Sequence, residues 1–444
     1  MNAKTLYALI AAAVVALLAA WWINTSHAPV SESAEQNKAL LPGLRERLND
    51  ITAITLTSAD NQVLATLKHA SDGWTIEQKS GYPADVPKLR EFLLKLADAT
   101  VLEQKTSNPK LYADLGVEDV KGKDAKGILV SLEGLKEPVK LIIGNYNGGG
   151  GGGTFVRREG QAQTVLVKGN ISVEKTVAGW ERHELTDIAA NRVKQVTITN
   201  PDGKSLKIYK EQPGDANFKV ADVPKGREVS SDFVANAVGA TLSGLRSEDV
   251  FSAKEMPPPD KVYKVNYAAF DGLNVGMVAW VKDGKDYAQL IASLDQVAAA
   301  VRISADQTKA QAEYEAAVQA SKKSAEDKSA ADKPAADKAA ADKPAAGATA
   351  KPAPDVAKPL AVSDAAKDRD ERLKLLNDEV ASLNKTFAGW TFVLPSFKFT
   401  NIDKTVDDML KPLEQKKPDA KDAAKPGAPK QPVPKPAASA SGQQ

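Results

Sequence analysis

The stretch ITAITLTSADNQVLATLKHASDGWTIEQ, residues 51–78, decides the fold because apolar and polar residues alternate along most of its length. Alternation of this kind is typical of β-strands that bury one face. Two groups of turn-favouring residues, Ala59-Asp60-Asn61 and Ser71-Asp72-Gly73, interrupt the pattern. The stretch therefore predicts a three-stranded antiparallel meander.

The same pattern returns in VKQVTITNPDGKSLKIYKEQPGDANFKVAD, residues 193–222, with turns predicted at Pro201-Asp202-Gly203 and Pro213-Gly214-Asp215. The two meanders begin 142 positions apart, which is 193 minus 51. A recurrence at this distance indicates an internal repeat. We therefore expect an α+β fold of two tandem homologous units, each with an antiparallel meander, a helix and further strands.

An amphipathic helix is predicted after each meander. In the first copy Asp85 is the expected N-cap, and Pro87 lies in the first turn. The apolar face of that helix comprises Leu89, Phe92, Leu93, Leu96 and Thr100. In the second copy Ser230 or Ser231 is the expected cap. The residues expected to point inward there are Phe233, Val234, Ala237, Val238 and Leu242.

Further strand-like runs follow each helix. In the first copy they are Ile128–Leu132, Val139–Ile143, Thr154–Arg157 and Thr164–Val167, and in the second Lys261–Phe270, Leu273–Val281 and Tyr287–Ile291. Each copy also closes with Ala-Gly-Trp, at Ala178–Trp180 and at Ala388–Trp390. We expect Trp74, Trp180 and Trp390 at equivalent places as large core side chains rather than as ligand-stacking platforms. The sequence does not decide the role of Trp280.

The repeat is flanked and interrupted by segments of a different character. The predicted boundaries are a cytoplasmic stub at 1–4, a transmembrane anchor at 5–23, a juxtamembrane linker at 24–49, a first unit at 50–190, a second unit at 191–302 and 371–410, a low-complexity insertion at 303–370 and a tail at 411–444. The insertion and the tail are rich in Ala, Lys and Pro, a composition typical of disorder. Residues 305–328 of the insertion nevertheless favour a helix. A second, amphipathic helix is predicted around 373–387.

The anchor prediction rests on 19 uncharged, mostly apolar residues between Thr5 and Ile23. As a helix the run is about 28 Å long, close to the thickness of a bilayer core. Lys4 precedes it, and Trp21 and Trp22 lie at its far end, so the N-terminus is expected in the cytoplasm and the bulk of the chain on the opposite side of the membrane. A cleaved signal peptide, ending near Ser26-His27-Ala28, is the alternative.

Composition excludes several classes of function. The 59 basic and 57 acidic side chains nearly cancel, so no overall basic field is present to bind nucleic acid. The chain has no cysteine and three histidines, His27, His69 and His183, which argues against thiolate catalysis and zinc sites. We therefore expect no catalytic, cofactor-binding or metal-binding residues and no cofactor.

Two motifs invite a catalytic interpretation and fail its further requirements. The glycine run at 148–153 lacks the Lys-Ser/Thr pair of a phosphate-binding loop, so a flexible hairpin loop is the better interpretation. Ser382 and Lys385 match Ser-x-x-Lys, but the companion motifs of penicillin-recognising enzymes are missing.

The tail at 411–444 has a net charge of +4, from seven Lys against three acidic residues. This charge leaves open a contact with anionic lipid or cell-wall polymer.

Several short motifs occur along the chain in the following order: Asp72-Gly73-Trp74, Leu115-Gly116-Val117, Leu141–Asn145, Gly153–Arg157, Trp180–Ile188 and Gly389–Lys398. In this order they resemble a family of bacterial envelope proteins known as domain of unknown function forty-three forty. The resemblance implies an accessory, membrane-tethered part of a gliding-motility-type ABC transport system, with permease or auxiliary subunits as partners. It implies no chemistry.

The expected function is therefore that of a non-catalytic periplasmic accessory or scaffold protein anchored in the inner membrane through residues 5–23. The alternative is an envelope hydrolase or a small-ligand binding protein that uses the cleft between the two units, because concave sites favour domain interfaces.

Overall fold

A computed structural model describes residues 38–149, 152–331 and 356–411 of the chain. Helices and strands are both abundant, and the strands of its sheets pair antiparallel. The expected α+β class is therefore confirmed.

The first sheet contains nine strands. They are β1 (Ala53–Thr57), β2 (Val63–Ala70), β3 (Gly73–Ile76), β4 (Tyr82–Pro83), β5 (Val101–Gln104), β6 (Ile128–Glu133), β7 (Val139–Asn147), β8 (Gly153–Arg158) and β9 (Thr164–Lys168). Their order across the sheet is β4-β3-β2-β1-β6-β7-β8-β9-β5. Helix α1 (Val86–Ala97) packs on this sheet and buries Leu89, Phe92, Leu93 and Leu96, and a short helix α2 (Tyr112–Leu115) precedes β6. The Asp85 side chain caps α1 as predicted, accepting a hydrogen bond of 2.9 Å from the Lys88 amide.

The second sheet contains eight strands and has its own core. They are β11 (Val193–Thr199), β12 (Ser205–Tyr209), β13 (Lys219–Val220), β15 (Asp249–Ser252), β16 (Tyr263–Ala269), β17 (Leu273–Lys282), β18 (Lys285–Leu294) and β19 (Trp390–Leu394), while β10 (Glu184–Thr186) and β14 (Leu245–Arg246) form a separate pair. The helices of this half are α3 (Asp232–Gly239), α4 (Gln296–Ala331), α5 (Leu360–Ser363), α6 (Ala365–Phe387) and α7 (Ser396–Phe399).

The two sheets have the same strand order. The order β3-β2-β1-β6-β7-β8-β9-β5 in the first corresponds strand by strand to β13-β12-β11-β16-β17-β18-β19-β15 in the second. In both sheets the meander lies on one side, and the strand that follows the helix pairs with the last strand. The alternating patterns at 51–78 and 193–222 thus begin two copies of one topology.

The backbone contacts that close each copy also correspond. The Asp85 amide donates to the Trp180 carbonyl, and the Ser230 amide donates to the Met409 carbonyl, both at 2.8 Å. Next to these bonds, Ala84 bridges to Glu181 in the first copy and Val229 bridges to Leu410 in the second. Glu181 and Leu410 therefore occupy matching positions.

This correspondence corrects the expectation for the two Ala-Gly-Trp tripeptides. Ala178–Trp180 forms a 3-10 turn after β9, whereas Trp390 is the first residue of β19, the strand that corresponds to β9. Trp74 lies in β3. The three tryptophans are therefore not at equivalent places, because the matching backbone contacts align Trp180 with Met409 instead.

The second predicted helix also needs a correction. Ser231 is the N-cap of α3 by backbone conformation, but Phe233 is 79% exposed rather than inward. The buried side of α3 is formed by Ala235, Val238 and Gly239. An added Cβ at Gly239 would lie 2.2 Å from the Phe218 ring, so this ring packs directly on the helix backbone. The buried face of α3 therefore includes Gly239, which the Phe218 ring covers, and does not include Phe233.

The insertion lies in the connection between β18 and β19, where the first copy has only residues 159–163 between β8 and β9. Helix α4 begins at Gln296, before the predicted start of the insertion, and buries Ile303. Helix α6 begins at Ala365, before the predicted return at residue 371. The Asn384 side chain attaches α6 to the edge of β18 through two hydrogen bonds of 2.8 Å with the Ala292 backbone.

Among the helices of the described ranges, none combines the length and apolar character needed to cross a membrane. The predicted anchor at 5–23 and His27 lie outside these ranges. So do the stub at 1–4 and nearly all of the tail at 411–444.

Candidate functional site at the junction of the two sheets

Tyr82 connects the two halves of the molecule. It belongs to β4 of the first sheet, yet its fully buried side chain is part of the second core. The ring contacts Trp390 edge-on at a centroid distance of 4.9 Å and lies 6.3 Å from Phe392. The Tyr82 hydroxyl donates to the Arg182 carbonyl at 2.8 Å, and burial raises the pKa of this hydroxyl to about 12. The junction is therefore packed by large side chains around Tyr82.

Beside Tyr82, three charged side chains from three elements meet. Lys79 lies in the 3-10 turn after β3, Glu181 follows the turn at Ala178–Trp180, and Asp249 begins β15. The Lys79 ammonium lies 3.1 Å from Oε1 of Glu181, and it donates to the Asp249 carboxylate. It also donates to the Val250 carbonyl at 3.1 Å. We call Lys79, Glu181 and Asp249 the junction cluster.

The burial of the junction cluster is uneven. The Glu181 side chain is fully buried, while those of Lys79 and Asp249 retain 16% and 24% exposure. Within the described part of the chain, neither Glu181 carboxylate oxygen has a hydrogen-bond partner of acceptable geometry, despite the proximity of Lys79. A buried carboxylate without hydrogen bonds is costly to keep ionised. Glu181 is therefore the least stabilised charge of the cluster.

Protonation equilibria of the cluster reflect this burial. Burial, with a smaller contribution from the nearby Asp249 carboxylate, raises the pKa of Glu181 to about 7 against the attraction of Lys79. Burial acts to lower the pKa of Lys79, but the hydrogen bond to Asp249 and the charges of Glu181 and Asp249 outweigh that effect and raise it. The cluster can therefore bind and release a proton near neutral pH while Lys79 stays charged.

The cluster offers little for other chemistry. The Lys79 ammonium lies where a cation would bind between the two carboxylates. Over the ranges that the structure describes, no group of three or more His, Asp or Glu side chains is arranged to hold a metal ion. Proton binding and the mechanical joining of the two sheets are what this geometry supports.

The motifs examined in the sequence lie elsewhere. The glycine run lies in the connection between the antiparallel strands β7 and β8, with residues 150–151 outside the described ranges. Ser382 and Lys385 lie on the exposed surface of α6, where Lys385 forms an ion pair of 3.2 Å with Asp72 of the first unit. These two motifs are not brought together with each other or with the junction cluster.

The histidines and tryptophans fall into different environments. His69 is exposed on β2, and its ring lies against the Trp74 ring with a centroid distance of 5.1 Å. His183 is half-buried beside the junction, with its carbonyl accepting the Ser247 amide at 2.8 Å. Trp180 and Trp280 are buried, and Trp280 stacks on the Tyr287 ring at 5.8 Å.

The first unit has several surface cavities away from the junction. One of about 230 Å³ lies between α1 and the 3-10 helix Arg45–Asp50, with Trp74 and Leu93 in its wall. Another of about 450 Å³ is bordered by Val101 and Arg158. Both are open to solvent and do not include a residue of the junction cluster.

The sequence assigns no site role to the three cluster residues, although Glu181 lies within the motif Trp180–Ile188. Glu181 differs in character from its counterpart Leu410, but that counterpart cannot be located from the sequence offset. The meanders are 142 positions apart, whereas Glu181 and Leu410 are 229 apart (410 minus 181), because the insertion separates β18 from β19. Only the matched backbone contacts reveal that a carboxylate replaces an apolar residue.

The family comparison agrees with the resemblance seen in the sequence. Residues 74–262 match the model of the family described as Domain of unknown function (DUF4340). The matched region runs from Trp74 in β3 to Val262 just before β16, so it crosses the junction and contains the whole junction cluster. Comparisons with curated proteins and with solved structures give no match.

Proposed function

We propose that this chain is a non-catalytic accessory or scaffold protein, anchored in the bacterial inner membrane through residues 5–23, with its two units in the periplasm. The observation that carries the proposal is the packed junction, in which Tyr82 of the first sheet is buried in the core of the second. A joint of this kind gives two similar units a fixed relation, which suits a protein that positions partners.

The duplicated topology supports the same proposal. Two units with the same strand order, joined through one linker, are what duplication of a single ancestral unit would produce. The second unit differs most from the first through the helices inserted between β18 and β19. Insertions on a shared scaffold commonly carry the function that distinguishes one copy from another.

The partner class comes from the family resemblance. We propose an ABC-type, gliding-motility-like transport system as the assembly, with permease or auxiliary subunits in contact with this chain. The alternative, an envelope hydrolase or small-ligand binding protein, would need an open cleft between the units. The contacts of Tyr82 with Trp390 and Phe392 favour a filled junction instead.

The test is purification of the full chain from its native membrane in mild detergent, with a C-terminal tag and gentle crosslinking. We expect transporter permease or ATP-binding subunits to be recovered with it.

A deletion variant tests whether the insertion contributes to this binding. Replacing residues 309–358 by a short Gly/Ser linker keeps the buried Ile303 and the hydrogen bonds of Gln307 to Asp368 and Ala365. A matched variant with the glycine run shortened is the control.

We expect the first deletion to reduce recovery and the control to leave it unchanged. Recovery of the intact, membrane-retained chain without transporter subunits would contradict the proposed role. Binding of a small molecule that Tyr82→Ala abolishes, in a folded variant, would favour the alternative.

A further inference from the structure

We propose that the junction cluster is a proton-operated latch, which holds the two sheets together while Glu181 is protonated and loosens when Glu181 ionises. This inference concerns the coupling of the two units and does not depend on the membrane partner. Its basis is the position of a fully buried carboxylate between elements of both sheets.

The charge balance of the cluster gives the latch its direction. One ammonium, Lys79, faces two carboxylates, Glu181 and Asp249. With Glu181 protonated the cluster is neutral, and with Glu181 ionised it carries one uncompensated negative charge. An uncompensated charge in a buried place is strongly unfavourable, and exposure to water relieves it. Ionisation therefore favours opening of the junction.

Within the described ranges, Glu181 forms no ion pair with a cation other than Lys79. Lys79 comes from the turn after β3, Asp249 from β15 and Tyr82 from β4, while Arg182 follows Glu181 directly. Arg182 donates through Nη2 to the Thr386 hydroxyl at 3.2 Å, and Tyr82 donates to the Arg182 carbonyl. The pKa of about 7 that burial gives Glu181 places the change within the neutral range.

The second copy shows that the fold does not need a carboxylate at this position. Leu410, the counterpart of Glu181, is buried with 5% exposure and makes the same backbone bridge. An apolar side chain thus satisfies the local packing. The carboxylate is found in the first copy, at the end that continues into the second unit. There it lies next to Lys79 and Asp249.

The remaining contacts allow loosening without unfolding. Each sheet has its own core, so partial separation at the junction leaves most buried residues covered. The ion pair between Lys385 and Asp72 also joins the units, but both side chains are more than two-thirds exposed. Exposed pairs contribute little. Tyr82 and the junction cluster therefore dominate the coupling.

Spin labels test the latch directly, since the chain has no cysteine that would need to be removed. Cysteines replace the exposed Lys136 on the first unit and Lys207 on the second, and pulsed electron spin resonance gives the distance between the labels. In the otherwise unchanged full chain we expect one narrow distribution at about pH 5 and a broader, longer one at about pH 8.5. Glu181→Gln and Glu181→Leu should keep the narrow distribution at both pH values.

The control is Glu46→Gln, which changes an exposed carboxylate outside the junction cluster and should retain the full pH response. A distribution in the parent protein that is the same at both pH values would overturn the latch. An undiminished pH response in Glu181→Gln would overturn it too, because another group would then be responsible. Glu181→Leu guards against a folding artefact, since Leu410 already occupies the matching place.

Discussion

Glu181 and Leu410 occupy matching positions in two sheets of the same strand order, each in a backbone bridge to a residue shortly before the helix of its copy. One is a buried carboxylate and the other a buried aliphatic side chain. The difference falls at the junction, where the first copy meets the second and the Glu181 carboxylate faces Lys79. The repeated topology thus provides an internal comparison that distinguishes residues needed for the fold from residues that connect the two units.

Tyr82→Ala should destabilise the protein because it leaves a cavity in the second core. Replacing a large buried aromatic side chain by Ala typically costs about 3–5 kcal/mol. Urea unfolding followed by circular dichroism measures the loss. Tyr146→Ala, at an exposed position, is the matched control and should change the unfolding free energy by less than about 0.5 kcal/mol. Equal effects of the two changes would contradict the buried position of Tyr82.

Lys79→Met should destabilise the junction because it leaves Glu181 and Asp249 facing each other without a positive charge. Removal of one partner from a buried ion pair typically costs about 3–5 kcal/mol. Lys68→Met breaks the exposed pair with Glu77 and should cost less than about 1 kcal/mol. The same unfolding experiment compares them at about pH 6, below the pKa of Glu181, where the junction is closed in the parent protein. Adding Glu181→Leu to Lys79→Met should recover part of the loss, and no recovery would argue against direct coupling.

The stability of the folded protein should depend on pH through Glu181. Its folded pKa of about 7 lies above the ordinary value of 4.5, so the folded state binds the proton more tightly than the unfolded state. The stabilisation is fully present below about pH 4.5 and is lost as the pH rises through about 7, with a total on the order of 3 kcal/mol. Unfolding free energies at several pH values should show this decline in the parent protein. The decline should be smaller by that amount in Glu181→Gln.

Arg192→Ala should loosen helix α6 from the second sheet. Arg192 donates to both carboxylate oxygens of Glu379 on α6, at 2.6 and 2.7 Å, and to Asp271 at 2.6 Å. Loss of these charged hydrogen bonds should cost about 1–3 kcal/mol. Hydrogen exchange should become faster in α6 while β1 and β2 of the first sheet stay protected. Arg369→Ala, near the exposed start of α6, should leave exchange in the helix unchanged.

Local patterns predict much of this fold. The alternation at 51–78 and 193–222 predicts strands with one buried face, and β1 and β11 show that burial alternation. The N-cap Asp85 and the apolar face of α1 follow from the same kind of local rule. These features depend on neighbours in the sequence, so a single sequence is enough to predict them.

The errors arise where contacts distant in sequence decide the outcome. Phe233 fits the helical period of an inward-facing residue but is exposed. The helix packs instead through a face that contains Gly239, against the Phe218 ring. The tripeptides Ala178–Trp180 and Ala388–Trp390 have the same sequence but lie at opposite ends of the corresponding strands: the first follows β9, and the second leads into β19. The junction cluster needs residues 79, 181 and 249 to meet, and no local pattern marks that meeting. Tertiary pairing therefore determines the candidate site.

The central claim is that the packed junction makes the two sheets unfold as one cooperative unit. The most direct test is whether both sheets unfold at the same urea concentration. Trp74 and Trp180 lie in the first unit, and Trp280 and Trp390 in the second, so fluorine-labelled tryptophans report each sheet separately by nuclear magnetic resonance. A urea titration of the full chain at about pH 5, where Glu181 is protonated, should give the same midpoint for all four signals. Two separate midpoints, one for each sheet, would contradict the claim.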